Sequence, residues 1–107
     1  MQVFITARHC EISQTFRDRI TSEVEKLTKI FERINRVEII VSEDSGVNQV
    51  EINFTVNQQA FNAKGQGASH QLAFDIALEK AERQLRKFKG KLVGRRAIAA
   101  KEDQTGN

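Results

Sequence analysis

The strongest constraint on the fold is a strict alternation of apolar and polar residues in the stretch VEINFTVN, residues 50–57. Val50, Ile52, Phe54 and Val56 point to one side of an extended chain, and the polar residues between them point to the other. This alternation predicts a strand with one buried face and one face in water. The chain must therefore cover one side of a sheet with a second layer.

Two amphipathic helices are expected to supply that layer. Apolar residues at steps of three and four predict a first helix from Ser13 to about Ile34 and a second from Ser69 to about Leu92. Both serines are expected to cap helix N-termini. The predicted core stripes are Phe16, Ile20, Val24, Leu27, Ile30, Phe31 and Ile34 in the first helix, and Phe74, Ala77 or Leu78, Ala81, Leu85, Phe88 and Leu92 in the second.

Three further strands are predicted in QVFITA, RVEIIVSE and AFNAKGQG. The turn-like DSGVN, centred on Gly46, and the short NQQ connection predict that the last three strands form an antiparallel meander. The predicted fold class is α+β: a two-layer β-α-β-β-β-α arrangement in which two helices pack on one face of a four-stranded sheet. The predicted organisation is a single domain over residues 1–92, followed by a flexible polar tail over residues 93–107.

The net charge of +3 is unevenly distributed along the 107 residues. Residues 1–67 carry a net charge of −1, whereas residues 68–107 carry +4. The excess lies in EKAERQLRKFKGKLVGRR, residues 79–96, which holds eight Lys or Arg side chains. A local block of one sign is typical of a surface that binds a polyanion such as nucleic acid.

Helical wheels gather these charges into sectors. The basic sectors are Arg19, Lys26, Lys29 and Arg33 in the first helix, and Lys80, Arg83, Lys87 and Lys91 in the second. In helices packed side by side, the two sectors either face each other or form one continuous field, and both arrangements attract phosphate. The alternative is an ordinary solvated surface supported by pairs such as Glu79–Arg83. Two basic sectors, extended by Arg95 and Arg96, favour polyanion binding.

The positions of the aromatic residues indicate which kind of nucleic-acid contact to expect. Most of the seven Phe residues occupy core-periodic positions, and the pattern leaves only Phe4 and Phe61 unassigned. The wet faces are therefore expected to lack the exposed aromatic side chains that stack bases. Contacts to phosphate and sugar, which recognise shape more than sequence, are predicted instead.

Residues that commonly carry catalysis are sparse. Cys10 is the only cysteine, which excludes an intrachain disulfide and fits a reducing cytoplasm. His9, Cys10 and His70 are too few for a zinc site, and no group marks an oxyanion hole for a Cys–His pair. KGQG, residues 64–67, lacks the spacing of a P-loop. We expect no catalytic residue, metal, cofactor or small-molecule substrate, and no apolar run approaches the length of a membrane span.

Several stretches resemble the ribosome hibernation promoting factors and the related ribosome-associated inhibitor. They are MQVFITARHCEIS, FERINRVEIIVS, the segment around VNQQ, and QLAFDIALEKAERQLRKFKGKL. The resemblance covers about residues 1–92. Its most specific pattern consists of Asp75, Glu79, Lys80, Arg83, Gln84, Leu85, Lys87 and Lys89.

The resemblance implies a fold similar to double-stranded-RNA-binding domains and a function without catalysis. Such a factor binds the small ribosomal subunit and its rRNA near the decoding centre, blocks mRNA and tRNA binding, and keeps the ribosome inactive in stationary phase or stress. It implies a cytoplasmic protein, which we expect to be monomeric off the ribosome. The predicted RNA-binding residues are Lys26, Lys29, Arg33, Lys80, Arg83, Arg86, Lys87, Lys89, Lys91, Arg95 and Arg96.

The chain departs from the family pattern at a few positions. Ser69 and Gln71 stand where many members have Asp and Tyr, and Gln58-Gln59 replaces a Gly-Gly pair, which predicts a differently built hairpin. The dimerisation domain of the long forms has no counterpart in these residues, as expected of a short form or of an N-terminal domain. Two alternative functions are a generic double-stranded-RNA-binding module and a small acylphosphatase-like enzyme. The acylphosphatase fold ends on a strand, whereas the pattern here ends on a helix.

Overall fold

A four-stranded sheet with two helices on one face forms the fold, in the predicted order β-α-β-β-β-α. The computed structural model describes residues 2–97, with side chains for residues 2–88. The elements are β1 (Gln2–Arg8), α1 (Gln14–Ile30), β2 (Ile34–Asp44), β3 (Val47–Val56), β4 (Gln59–Gly67) and α2 (His70–Ala97). Strand β1 pairs in parallel with β2, and β2, β3 and β4 form the predicted antiparallel meander.

The core lies between the helices and one face of the sheet. Val50, Ile52, Phe54 and Val56 of β3 are all buried, as the alternation predicted. Val37, Ile39 and Val41 of β2 extend the same buried face. The helices contribute the buried side chains of Phe16, Ile20, Val24 and Leu27 in α1, and of Ala73, Phe74, Ala77, Ala81 and Leu85 in α2.

Serine side chains cap both helices, as predicted. The Oγ atom of Ser13 accepts a hydrogen bond from the backbone N–H of Phe16 at 3.1 Å. The Oγ atom of Ser69 accepts one from the backbone N–H of Leu72 at the same distance. Each bond satisfies a donor that the first turn of a helix cannot pair internally.

The predicted end of the first helix, at about Ile34, is wrong. Helix α1 ends at Ile30, and Phe31 leaves the helical conformation as the C-cap. Ile34 is buried, but as the first residue of β2, where it pairs with Val56. The spacing of Leu27, Phe31 and Ile34 mimics a helical stripe because two different elements contribute to one core.

The predicted end of the second helix, at about Leu92, is also wrong. Helix α2 continues to Ala97, so residues 93–97 are helical where the tail was expected to begin. Gly94 costs a helix about 1 kcal/mol but does not stop it, and no proline follows. Residues 98–107, the rest of the predicted tail, lie outside the described residues. Neither α1 nor the described length of α2 is long and apolar enough to cross a membrane.

Helix α2 lies very close to the sheet at Gly65 in β4. A Cβ atom built on Gly65 would lie 2.2 Å from the backbone oxygen of Ala73 and 2.7 Å from the backbone nitrogen of Ala77. These are backbone atoms of a helix and cannot rotate away. The glycine therefore lets the helix backbone lie directly on the strand.

We expect Gly65→Ala to lower the free energy of unfolding by about 3 kcal/mol, because the added methyl group must push α2 away from β4. Urea denaturation followed by circular dichroism measures the change. Gly67→Ala is the matched control, since the nearest atoms that a Cβ there would meet are side-chain atoms of Leu72 at 3.0–3.2 Å, and Leu72 is 46% exposed. Equal losses in the two variants would contradict the close-contact explanation.

Two-residue turns connect the meander strands. Val56 pairs with Gln59, and both intervening residues have positive φ, 50° for Asn57 and 69° for Gln58. Two successive residues with positive φ are typical of the type I′ turn, which suits the twist of a hairpin. Asparagine tolerates this conformation, but glutamine does not favour it. The other turn places glycine, Gly46, at its second position.

We expect Gln58→Gly to raise the free energy of unfolding by about 0.5–1 kcal/mol, because glycine adopts positive φ without a Cβ clash. Urea denaturation is again the measurement. Gln59→Gly is the control: it places glycine one residue later, inside β4, where it should destabilise. A loss of stability in Gln58→Gly would contradict the turn assignment.

Candidate nucleic-acid interface

Exposed basic side chains lie on the surface of the helical layer that faces away from the sheet. Six predicted RNA-binding residues with described side chains belong to the two helices, and all are exposed: Lys26, Lys29, Lys80, Arg83, Arg86 and Lys87. Each helix follows a strand of the same direction and returns over the sheet, so α1 and α2 run parallel to each other.

An ion pair and an aromatic contact join the N-terminal halves of the helices. The guanidinium of Arg19 in α1 pairs with the carboxylate of Asp75 in α2 and lies 5.3 Å from the ring centre of Phe74. The rings of Phe16 and Phe74 meet edge to face at 6.0 Å. The flank of α2 that carries Asp75 therefore faces α1.

A hydrogen bond fixes the opposite flank of α2. The side-chain amide of Gln84 donates to the backbone oxygen of Asn62 in β4 at 2.8 Å. Because β4 is an edge strand of the sheet, this flank of α2 faces away from α1. Lys80 and Lys87 lie within about 60° of Gln84 around the helix, and Arg83 lies farthest from the core.

This rotation decides between the two arrangements that the sequence left open. The basic stripe of α2, formed by Lys80, Arg83 and Lys87, does not face α1 across a groove. The exposed cations of both helices instead form a single band over the outer surface of the helical layer. This helical band consists of Lys26, Lys29, Lys80, Arg83, Arg86 and Lys87. Arg86 shares the flank of α2 that carries Asp75 and faces α1, about 20° from Asp75 around the helix but about three turns farther along it. On α1, Lys26 shares the flank of Arg19, and Lys29 lies farthest from the core.

Most of the band is not neutralised within the protein. Arg83 pairs with Glu79 at 3.8 Å and Lys26 with Glu23 at 3.5 Å, and both pairs are exposed, which makes them weak. Among the side chains of residues 2–88, Lys29, Lys80, Arg86 and Lys87 form no ion pair. These cations can therefore contact external anions without breaking an internal bond.

The structure corrects the expected place of Arg33. It was predicted on the outward sector of the first helix but lies in the turn between α1 and β2, where it is exposed. Four other predicted residues, Lys89, Lys91, Arg95 and Arg96, lie on the helical backbone of α2, but their side chains are outside the described part of the chain.

The residues considered for catalysis have other contacts. The thiol of Cys10 donates to the backbone oxygen of Val41 at 3.5 Å, and Nε2 of His70 lies 3.1 Å from the backbone oxygen of Ser42. Among the described residues, no group of three or more His, Cys, Asp or Glu side chains is arranged to hold a metal ion.

One aromatic side chain contradicts the expectation that wet faces lack them. Phe4 is 41% exposed on the sheet face opposite the helices, and the guanidinium of Arg36 lies 4.6 Å from its ring centre. The sequence pattern could have revealed this exposure. Val3 and Ile5 turn toward the core, so strand alternation places Phe4 on the opposite face. Phe61 packs on the core side, stacked on Phe54 at 5.1 Å.

Comparison with known proteins gives the family. The model of the family described as "Sigma 54 modulation protein / S30EA ribosomal protein" matches residues 3–93. The chain belongs to this family. The match spans every element from β1 through most of α2, and it agrees with the family resemblance seen in the sequence.

Curated relatives are similar over nearly their whole length. The ribosome hibernation promoting factor of Klebsiella oxytoca is 35% identical over 92 residues, which cover 86% of this chain and 97% of the relative. The factor of the same name from Escherichia coli is 32% identical with the same coverage.

Solved structures share the fold. A ribosomal subunit interface protein from Coxiella burnetii aligns with a TM-score of 0.79 at 21% identity, covering 84% of this chain and 99% of that one. The N-terminal domain of Protein Y from Thermus thermophilus aligns with a TM-score of 0.72 at 19% identity, covering 82% and 99%. These similarities confirm the predicted α+β architecture.

Proposed function

We propose that this protein is a ribosome hibernation factor. It binds the small ribosomal subunit and its rRNA near the decoding centre, where it blocks mRNA and tRNA binding in stationary phase or stress. The observation that carries the proposal is a band of largely unneutralised cations on the helical layer of a chain whose curated relatives are named ribosome hibernation promoting factors.

The band suits the phosphate backbone of folded RNA. Lysine and arginine side chains on two rigid helices present charge at fixed positions, and each contact releases counterions from the RNA. The described helices offer no exposed aromatic side chain, so the band positions the protein by shape and phosphate rather than by base sequence. We assign direct contacts to Lys26, Lys29, Lys80, Arg83, Arg86 and Lys87, with Arg33 at the adjoining turn.

The proposed RNA-binding surface also includes the C-terminal part of α2. Its helical backbone to Ala97 lengthens the element that carries the strongest charge block. We keep Lys89, Lys91, Arg95 and Arg96 as proposed RNA contacts on this continuation. In this role the protein acts in the cytoplasm, is monomeric off the ribosome and works by occupying a site rather than by catalysis.

We expect a triple variant with Lys80→Glu, Arg83→Glu and Lys87→Glu to bind small subunits at least about a hundredfold more weakly, because three phosphate contacts become repulsions. Cosedimentation with purified small subunits measures the change. Thermal unfolding should be nearly unchanged, since the three side chains are exposed.

A matched comparison uses single charge reversals. Arg83→Glu should weaken binding, whereas Lys64→Glu, an equal charge change on the sheet face opposite the helices, should not. Unchanged cosedimentation of the triple variant would reject the role of α2. Competition with bare duplex RNA separates ribosome binding from generic duplex binding, because a generic binder is displaced equally well by either RNA.

Binding to small subunits should weaken steeply with salt. About six phosphate contacts correspond to a slope of about −4 to −5 when the logarithm of the binding constant is plotted against that of the salt concentration. Cosedimentation across a potassium chloride series gives the slope for the wild type. The triple variant should show a slope flatter by about 2. A wild-type slope near zero would contradict binding through this band.

A further inference from the structure

The sheet face opposite the helices carries a separate set of features. Along each strand, alternate residues point to this face, which no described element covers. Eight of its side chains are amides or hydroxyls: Gln2, Thr6, Ser42, Gln49, Asn53, Thr55, Asn62 and Gln66. None of these residues contributes to the helical band, so the function proposed above leaves the face unexplained.

Hydrogen bonds hold the amides of this face in fixed orientations. The side-chain NH₂ of Asn62 donates to the side-chain oxygen of Asn53 at 2.5 Å and to a carboxylate oxygen of Glu51 at 2.6 Å. Both hydrogens of that NH₂ are thus used. The side-chain oxygen of Asn62 and the side-chain NH₂ of Asn53 take no partner among the described residues, so an acceptor and a donor lie side by side.

A shallow cavity of about 410 Å³ opens beside this amide pair. It is lined by Arg36, Glu38, Asn53, Phe54, Thr55, Ala60, Phe61 and Asn62. Adjacent donor and acceptor groups are what the edge of a nucleobase requires. The cavity therefore combines room for a flat ring with groups able to hydrogen-bond to its edge.

A stacking platform lies beside the cavity. Arg36 lines the cavity, and its guanidinium lies 4.6 Å from the ring centre of the exposed Phe4. Aromatic rings and arginine guanidinium planes both stack on unpaired bases. Four-stranded sheets with exposed aromatic side chains bind single-stranded RNA in this way in other folds.

The charge balance of this face favours contacts with bases over contacts with phosphates. Three basic and three acidic residues share it: Arg8, Arg36, Lys64, Glu38, Asp44 and Glu51. A balanced face has little attraction for a phosphate backbone. Any affinity for nucleic acid must therefore come from stacking and hydrogen bonds.

A second amide pair favours single-stranded nucleic acid, rather than a free nucleotide, as the ligand of this face. The side-chain NH₂ of Gln66 donates to the side-chain oxygen of Gln49 at 3.0 Å. This pair lies four residues along the strands from Asn53 and Asn62, about 13 Å away. We propose that the face binds single-stranded RNA through its bases, one stacked at Phe4 and Arg36 beside Asn53 and Asn62, and another at Gln49 and Gln66.

Fluorescence anisotropy with short labelled homopolymers of adenosine, uridine or cytidine tests this proposal without ribosomes. The wild type should bind at least one of them, and Phe4→Ala should weaken that binding about tenfold or more. Asn53→Ala is a second variant, expected to weaken it severalfold. Thr6→Ala is the matched control, because Thr6 is exposed on the same strand and face as Phe4 but has no aromatic ring on which a base could stack.

The outcomes separate this face from the helical band. Binding through bases should depend weakly on salt and survive the triple charge reversal on α2. The proposal is overturned if the wild type binds no homopolymer, or if Phe4→Ala and Asn53→Ala bind like the wild type. It is overturned as well if the α2 variant alone loses binding, or if a free nucleotide competes as well as the strand does. None of these results bears on cosedimentation with small subunits.

Discussion

The backbone contact between α2 and β4 at Gly65 is the constraint on which the rest of the structure depends. The absence of a Cβ atom there lets the helix backbone lie directly against the strand. Ala73, Ala77 and Ala81 have small side chains, which allow close packing along the same buried side of the helix. Small side chains alone could let a helix slide, but the hydrogen bond from Gln84 to the edge of β4 fixes its position. The helix is therefore set in both distance and rotation.

That rotation distributes the charges. It turns Asp75 toward Arg19 on α1, so this carboxylate forms an ion pair between the two helices. It turns Lys80, Arg83 and Lys87 outward, where water or an external anion must solvate them. The same packing leaves the other sheet face uncovered, with its paired amides and the contact between Phe4 and Arg36. One helix placement thus produces two surfaces of different chemistry, a cationic one and a nearly neutral one.

Local patterns predicted much of this arrangement. The alternation in β3, the serine caps and the short connections each depend on residues close in sequence, and all were confirmed. The errors arose where distant residues decide. The helical spacing of Leu27 and Ile34 did not reveal that these residues belong to different elements. The helix predicted to end at about Leu92 continues to Ala97, because a single glycine such as Gly94 is too weak to end it.

The sequence by itself determined the order of elements, the buried face of β3, the family resemblance and which residues could bind an anion. It could not determine which basic residues share a surface, because a helical wheel gives angles around one axis and not the rotation of one helix against another. Only the tertiary structure decided that rotation, since the contact at Gly65 depends on how α2 packs on β4, and the Arg19–Asp75 pair joins residues 56 positions apart in the chain. Long-range packing therefore turned a list of candidate cations into a band on one surface, and exposed Phe4 on the other.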